Sequence, residues 1–190
     1  VTTSQPVSVD CSVPPLSTID GVLDAISAAA SAAPPGQWIW GWGCSARNME
    51  GNRRITRWEL DEAAPNNPVT IEDSSCHAAY ANSAALKLAG IDRSTPDPDH
   101  GQILRDDAGE PDGTLWEEAL DPVFNLSLRA HLEHYGEYAA DLVRQNCQRY
   151  MSVGITSVGD ALVLPAAAEM YRQADALGKL PFRMHQMLGG

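Results

Sequence analysis

The most informative stretch of the sequence is IEDSSCHAAYANSAALKLAGI, residues 71–91. Its start belongs to the run PVTIED at 68–73, whose β-branched residues predict a strand. Its alanine-rich part predicts a helix over about 78–89, with Gly90 in the usual position past the C-terminus. His77 would then lie between the strand and the helix start, where the positive local field favours a neutral imidazole that donates or accepts a hydrogen bond.

Strands and helices alternate along most of the chain. Apolar residues recur at helical spacing between 17 and 32, with Ser17 placed to cap the helix. Thr56 and Glu59 have capping-box spacing and predict a second, short helix. Further strands are expected at QWIWGWG (37–43), GITSVGDA (154–161, as a buried strand) and LPFRMHQML (180–188), with another helix over 165–178. This alternation predicts parallel βαβ units of an α/β sheet or barrel.

The segment 91–115 interrupts this alternation. It is dense in Pro, Gly and Asp and has short apolar islands, which predicts an excursion with one or two short hairpin strands. The interval after Glu117 is mainly helical. We therefore expect three parts: βα units and the start of an insertion in 1–90, the insertion itself with a hairpin and a helix in 91–136, and further βα units in 137–190.

The composition excludes some classes of partner. The 13 Lys and Arg among 25 Asp and Glu give a formal net charge of −12, and a chain without a basic face is not expected to bind nucleic acid or anionic lipid. No apolar run approaches the roughly 18 to 20 residues that cross a bilayer. The four cysteines lie far apart, without a C-x-x-C pair, and are expected to be reduced, mostly buried thiols. A soluble, cytoplasmic protein is therefore predicted.

Five ordered blocks carry a family resemblance: PPGQWIWGWG, ITRWELDEAAPNNPV, CHAAYANSAALKLAGI, TPDPDHGQILRDDAGEPDGTLWEEAL and GITSVGDA. Together they resemble the amidohydrolase superfamily, in the branch that contains N-substituted formamide deformylases and related exoenzymes. The resemblance implies a metal-dependent hydrolase fold, which is a (β/α)8 TIM barrel with a small β-sandwich and an inserted α+β subdomain. It also implies that this chain is an interior segment, with early barrel units in 1–90 and further barrel units in 137–190.

The resemblance further implies a divalent metal, expected to be zinc, in the intact protein. The family pattern has an H-x-H pair at the end of the first barrel strand and further ligands on later strands, whereas this sequence contains no H-x-H. A catalytic zinc site needs about three protein donors and an open position for water. We therefore expect the ligand set of this chain to be incomplete by itself, and the isolated chain to be inactive.

Three residues in the matching blocks are the first candidates for a site. His77 stands at the family's histidine, which implies a catalytic role in polarising or positioning substrate; alternatively, it only ties down its loop. Asn82, in the family's Asn-Ser pair, is assigned to substrate binding, or else satisfies nearby loop backbone. Glu117 aligns with the acid of the family's TG-x-L-x-E-x-A block. It is the candidate metal ligand or the holder of an outer-shell histidine, and the alternative is a helix-start acid.

Three more residues complete the candidate set. Asp160 matches the Asp-Ala that ends the family's strand and is assigned a catalytic role in orienting a ligand histidine or a water; the alternative is a helix cap or turn former. Arg105 could pair with a substrate carboxylate through its planar guanidinium, although hairpin arginines usually face solvent. Trp42, in the first strand block, is assigned to substrate binding. His131 and His134 are expected at the surface.

Two classes of function remain open from the sequence. The first is a segment of a metal-dependent amidohydrolase that hydrolyses amide or formamide C–N bonds, with a small-molecule amide as its partner. The second is a non-catalytic small-molecule binding module, or an inactive fragment of the same fold, which the missing H-x-H favours. Uncovered strand edges also leave a homo-oligomer as an expectation.

Overall fold

The computed structural model describes residues 9–163 and 165–188. The described residues form two compact units, a larger one of residues 9–131 and a smaller one of residues 132–188 without 164. The segment 91–131, which the sequence assigned to an insertion of residues 91–136, lies in the same unit as residues 9–90. The reason is that the strands of this segment pair, in one sheet, with strands that precede it in the chain.

Strands and helices of the larger unit are as follows. The strands are β1 (Val9–Asp10), β2 (Ile39–Cys44), β3 (Val69–Asp73), β4 (Ala78–Ala81), β5 (Gly101–Arg105) and β6 (Pro111–Glu117). The helices are α1 (Ile19–Ala32), α2 (Arg57–Ala63), α3 (Ser83–Leu88) and α4 (Asp121–Tyr135), with a 3-10 turn at Glu118–Leu120.

The six strands form one mixed sheet in the order β1-β2-β3-β4-β6-β5. The strands β1, β2 and β3 are parallel, and a helix connects each consecutive pair, so the predicted βαβ units are confirmed in this part. The strands β4, β6 and β5 are antiparallel to their neighbours, and β5 with β6 forms the predicted hairpin. The parallel half and the hairpin half therefore share one continuous sheet.

The first two helices begin with side-chain caps. The hydroxyl of Thr18 accepts a hydrogen bond from the Gly21 N–H, so α1 is capped one residue later than Ser17, which the sequence suggested. The predicted capping box of Thr56 and Glu59 is present in both directions at the start of α2. Because a helix leaves its first N–H groups without partners inside the helix, these side chains fix where each helix begins.

Both faces of the sheet are covered by apolar cores. On one face, side chains from α1, α2 and the parallel strands pack around Ile71 and Tyr80. On the other face, α3, the hairpin and the start of α4 enclose a second core, in which Leu115 and Val123 are completely buried. Successive side chains of a strand point to opposite faces of the sheet, so one strand can contribute to both cores. The two cores fix the strands and therefore the turns that join them.

The segment Ala78–Ala81 is a strand, so the helix predicted from residue 78 is wrong there. It pairs with β3 on one side and with β6 on the other, and all four residues are buried. Because both edges of the strand are hydrogen-bonded, tertiary pairing outweighs the helix propensity of alanine. The helix begins only at Ser83, and His77 lies in the turn that joins β3 to β4.

The smaller unit contains α5 (Ala139–Ser152), β7 (Ser157–Val163), α6 (Pro165–Ala176) and β8 (Arg183–Leu188). The strands β7 and β8 are parallel and are joined through α6, as the sequence predicts. Apolar residues of α5, α6 and β7 form its core: Val143, Cys147, Val163, Ala168, Met170, Tyr171 and Ala174.

The sequence predicts a buried strand at 154–161, but the strand begins only at Ser157 and residues 154–161 are exposed or half-buried, so the predicted burial is wrong. Large apolar side chains next to both strands are exposed as well, among them Val153 at 73% and Leu188 at 71%. A parallel pair of strands covered on one side only leaves such surface open. Of the helices that the structure describes, none has the length and apolar character needed to cross a membrane.

Candidate active site

Two residues that are 40 positions apart in the sequence meet where the β3–β4 turn reaches the end of β6. The Nδ1 atom of His77 lies 3.1 Å from the carboxylate oxygens of Glu117. The backbone N–H of Glu117 also donates a hydrogen bond of 3.0 Å to the His77 carbonyl oxygen. Backbone and side chain therefore both join these two residues.

The backbone at Glu117 has an uncommon conformation, with φ 51° and ψ −130°. Few residues other than glycine adopt a positive φ. Gly101 lies opposite Glu117 in the hairpin register, and a Cβ atom at Gly101 would come within 2.6 Å of the Ala119 nitrogen. Glu117 is the last residue of β6 and stands directly before the 3-10 turn, but its side chain makes no capping hydrogen bond to that turn.

The His77–Glu117 pair lines a cleft of about 870 Å³. Small-molecule sites in proteins have volumes of this order. Trp116 lines it half-buried, and Tyr80, which is almost completely buried, donates a hydrogen bond of 3.0 Å from its hydroxyl to Asp73. The pKa of the Tyr80 hydroxyl is raised, mainly by burial and secondly by the negative charge of Asp73. The hydroxyl therefore stays a neutral donor. The other lining residues are Ser45, Ala46, Arg47, Asn52, Arg53, Arg54, Ser74 and Ser75.

Three arginines line the cleft from the loop between β2 and α2, residues 45–56, which we call the arginine loop. The guanidinium of Arg53 donates to both carboxylate oxygens of Glu59 at 2.7 and 3.0 Å, and this contact is the main cause that lowers the pKa of Glu59 to about 2. Within the described part of the chain, Arg47 and Arg54 form no ion pair. Their only signal in the sequence is that SARNMEGNRR (45–54) holds three of the 13 basic residues.

The contact at Nδ1 determines what the imidazole of His77 can offer. When Nδ1–H donates to Glu117, Nε2 of the neutral ring is left as a hydrogen-bond acceptor or a metal donor. The side chains of His77 and Glu117 are 64% and 54% exposed, so both are accessible from the cleft. The pair can therefore bind and orient a small polar molecule.

The pair does not by itself form a complete metal site. Among residues 9–163 and 165–188, no group of three or more His, Cys, Asp and Glu side chains could hold a metal ion. His77 and Glu117 supply at most two donors, whereas a catalytic zinc ion takes about three from the protein. The described residues therefore do not fit a metal without further ligands.

Asn82 has a structural role in this fold. It is 1% exposed and caps α3, and its side-chain oxygen accepts hydrogen bonds of 3.0 Å from the backbone N–H groups of Val69 and Ala85. Its amide nitrogen donates to the Asn67 carbonyl oxygen at 2.9 Å. These bonds join α3 to the start of β3, which contradicts the expectation that Asn82 contacts substrate.

Arg105 also satisfies backbone groups instead of facing a site. It lies at the hairpin-turn end of β5, whereas Gly101 at the other end is the residue paired with Glu117. Its guanidinium donates to four backbone carbonyl oxygens, those of Asp92, Arg93, Thr95 and Gly109. The expectation that Arg105 binds a substrate carboxylate is therefore corrected, because the side chain holds the excursion against its hairpin.

The strand β2 carries two tryptophans on one face. Trp42, which was expected to bind substrate, is half-buried opposite Glu72, and the cleft lining does not include it. Trp40 packs edge-on against Phe124 and His131 of α4, with ring centroids 5.7 and 5.1 Å apart. His131 is 8% exposed, so the expectation of a surface histidine is wrong. Trp40, Phe124 and His131 belong to the packing of α4 on the sheet.

Asp160 belongs to the smaller unit and lies within β7, not after its end. Its carboxylate accepts a hydrogen bond of 2.9 Å from the Tyr171 hydroxyl. The pairing with β8 becomes irregular between Asp160 and Val163. The alternative of a helix cap or turn former therefore does not apply to this residue.

Comparison with known proteins relates the chain to a family of hydrolases. The model of the amidohydrolase family matches residues 3–189. The chain is 48% identical to an N-substituted formamide deformylase of Arthrobacter pascens over 185 residues, which are 97% of this chain and 34% of that protein. It is 34% identical to the protein YtcJ of Bacillus subtilis over 178 residues, 91% of this chain and 33% of that protein. The chain thus spans about a third of the length of these relatives.

A solved structure has a similar fold. An uncharacterized metal-dependent hydrolase from Pyrococcus horikoshii aligns with a TM-score of 0.60 over 95% of this chain and 32% of that chain, at 20% identity. At this identity the likeness concerns the fold alone, and it agrees with the mixed α/β architecture described above. Because the family model covers nearly every residue, the chain belongs to the amidohydrolase family.

Proposed function

We propose that this chain is a segment of a metal-dependent amidohydrolase that hydrolyses the amide or formamide C–N bond of a small molecule. The observation that carries the proposal is the contact of His77 with Glu117 in the lining of the cleft. Family membership supports hydrolysis, and the relative with 48% identity is an N-substituted formamide deformylase. A (β/α)8 barrel is the proposed architecture of the intact protein.

In this proposal, His77 handles the proton and Glu117 orients His77. Glu117 accepts the hydrogen bond from Nδ1–H, so Nε2 accepts a proton from the water that attacks the carbonyl carbon. The carboxylate then stabilises the imidazolium. When the C–N bond breaks, Nε2 returns the proton to the leaving nitrogen, which departs as a neutral amine.

The metal and Asp160 complete the proposal for the intact protein. A divalent metal, for which we propose zinc, would supply Lewis-acid chemistry, and the described residues alone do not provide its ligands. Asp160 is proposed as a residue that orients a ligand histidine or a water, because the Tyr171 hydroxyl holds its carboxylate. Asn82 and Arg105 are not included, since their side chains are used by the backbone.

The test uses the protein encoded by the complete open reading frame, loaded with Zn²⁺. Amine release from a panel of N-substituted formamides and simple amides is measured for the wild type, His77→Gln and Glu117→Gln. We expect His77→Gln to lower kcat by about 100-fold or more, because the proton acceptor is lost. Glu117→Gln should lower it by about 10- to 100-fold, as for other residues that orient a histidine.

Two controls separate a chemical effect from a folding effect. Glu62→Gln removes an exposed carboxylate of α2 outside the cleft lining and should leave kcat unchanged. Urea unfolding of each variant should match the wild type, since His77 and Glu117 are more than half exposed. If the zinc-loaded wild type hydrolyses none of the formamides and amides, the proposal is wrong.

A second candidate function is a small-molecule binding module without turnover. The observation in its favour is that the described residues contain no group of three metal-binding side chains. Binding of a formamide measured by calorimetry, together with no amine release from the zinc-loaded protein, would identify this case.

A further inference from the structure

We propose that the cleft recognises substrates that carry a carboxylate, and that Arg47 and Arg54 are the residues that bind this group. The inference rests on the proposed function, because it names the class of small molecule for the same cleft. Its basis is a difference among the three arginines that line the cleft from the arginine loop: one is paired with a carboxylate, and the other two are not.

The guanidinium of Arg53 is already occupied. It makes two hydrogen bonds to Glu59 and one to a neighbouring backbone carbonyl. By contrast, the guanidinium groups of Arg47 and Arg54 donate no hydrogen bond to any residue that the structure describes. Both side chains are exposed. Because an arginine presents a planar fork that matches a carboxylate, two such groups on one wall form a natural binding surface for it.

The backbone that carries these arginines is held in place. Met49 and Ile55 of the arginine loop are 4% and 1% exposed and belong to the core under α1. The N–H of Met49 donates to the Ser45 carbonyl oxygen at 3.1 Å, and that of Glu50 donates to the Ser17 carbonyl oxygen at 2.8 Å. The loop therefore presents its arginines from a fixed frame, which lowers the cost of ordering them on a ligand.

The acidic residues of the cleft do not neutralise these arginines by direct contact. Asp73 accepts hydrogen bonds from the Tyr80 hydroxyl at 3.0 Å and from the Ser75 N–H at 2.9 Å. Glu117 is paired with His77. In a chain with a net charge of −12, an anion needs a local basic surface to approach, and the arginine loop supplies one.

The arrangement also suggests how such a substrate would lie. The reacting amide would meet His77, the carboxylate would meet Arg47 and Arg54, and an apolar middle part would contact the half-buried Trp116. The expected class is a small formamide or amide with an apolar body and a carboxylate at the end remote from the C–N bond.

The test compares two compounds that differ only in charge, 4-(formamidomethyl)benzoate and 4-(formamidomethyl)benzamide. The protein encoded by the complete open reading frame is loaded with Zn²⁺, and kcat/KM is measured for the wild type and for the double variant Arg47→Gln/Arg54→Gln. We expect the wild type to prefer the benzoate by about tenfold or more, and the double variant to lose this preference, mainly through KM. Arg93→Gln, an exposed arginine outside the cleft lining, is the matched control and should keep the preference.

The outcomes separate this inference from the proposed function. Hydrolysis of both compounds with equal kcat/KM, or an equal loss on both in the double variant, overturns the inference and leaves the hydrolase proposal intact. If neither compound is hydrolysed, calorimetric titration with the benzoate decides. Binding by the wild type that the double variant loses supports the inference although the proposed function has failed, and no binding by the wild type overturns it.

Discussion

Replacing Glu59 with alanine removes one carboxylate that holds two parts of the structure. It accepts hydrogen bonds from the Thr56 N–H at 2.9 Å and from the Thr56 hydroxyl at 2.8 Å, which complete the capping box of α2. It also pairs with Arg53 at the end of the arginine loop. Glu59→Ala should therefore destabilise both the helix start and the loop that precedes it.

The magnitude follows from these two contacts. Thr56 remains as the N-cap residue, so the helix start loses only the hydrogen bonds that Glu59 accepts from Thr56, which are worth about 1 kcal/mol. Arg53 is 52% exposed, and solvent screening keeps the ion pair below about 1 kcal/mol. We expect Glu59→Ala to lower the free energy of unfolding by about 1 to 2 kcal/mol at pH 7. Glu59→Gln keeps an acceptor oxygen for the cap and should lose less than about 1 kcal/mol.

The effect should depend on pH in a defined direction. The pKa of Glu59 is lowered from 4.5 to about 2, first through the hydrogen bonds from Arg53. Because the folded-state pKa is the lower one, the charged carboxylate stabilises the fold above the unfolded-state value of 4.5. That contribution is lost as the pH falls toward 2. The difference between the wild type and Glu59→Ala should therefore shrink between these two pH values.

The assay is urea unfolding followed by tryptophan fluorescence at several pH values, with slopes compared so that only midpoint changes are read as stability. Glu62→Ala, an exposed position on the same helix, is the control and should change the midpoint little. A Glu59→Ala protein as stable as the wild type at pH 7, or a loss that stays constant down to pH 2, would refute the reasoning.

Other predictions concern the core, the turns and the thiols. Asn82→Ala leaves two buried backbone N–H groups without an acceptor and should cost about 2 to 3 kcal/mol in urea unfolding. An unchanged midpoint would show that water replaces the side chain. Gly113→Ala should lower the melting temperature, because Gly113 has φ 100° and a Cβ there would lie 2.5 Å from a backbone oxygen. A wild-type melting temperature would contradict this. Cys76 is the one exposed thiol of four, so a thiol-specific dye at pH 8 should react once in the native state and four times after denaturation. Rapid native reaction at more than one site would disprove the burial.

Local signals in the sequence succeeded where neighbouring residues decide the structure. The capping box of Thr56 and Glu59 needs only three residues of spacing, and the structure contains it. The hairpin in 91–115 follows from turn residues placed between two short apolar runs, and it is also present. Helix caps and hairpins are short-range structures, so their physical causes can be read from a few adjacent positions.

Predictions failed where distant partners decide the structure. Ala78–Ala81 has helical composition, but its hydrogen bonds to β3 and β6 make it a strand. Of these two partners, β6 lies well after it in the sequence. His131 looks like a surface residue until the packing of α4 against Trp40 is known. Burial of this kind depends on which elements become neighbours, which local propensity does not specify.

The candidate site shows both outcomes. Family blocks brought attention to His77 and Glu117, and the structure brings these two side chains into contact, although their chemical roles stay proposals. The same blocks included Asn82, whose side-chain polar groups form hydrogen bonds with backbone atoms. A polar residue in a motif can bind substrate or satisfy the fold, and only its hydrogen-bond partners distinguish the two. Arg47 and Arg54 lacked any motif and became visible only as neighbours in a cleft.

Met49 and Ile55, the two buried apolar residues of the arginine loop, separate positions that maintain the fold from positions that meet solvent. Such a loop is a suitable segment for directed evolution. Libraries that randomise residues 46–48 and 50–52 together with Arg54, while keeping Met49, Ile55 and Arg53, would alter the chemistry of one cleft wall. They would leave every residue of the sheet unchanged. Selection from such libraries could retarget the scaffold toward new small molecules.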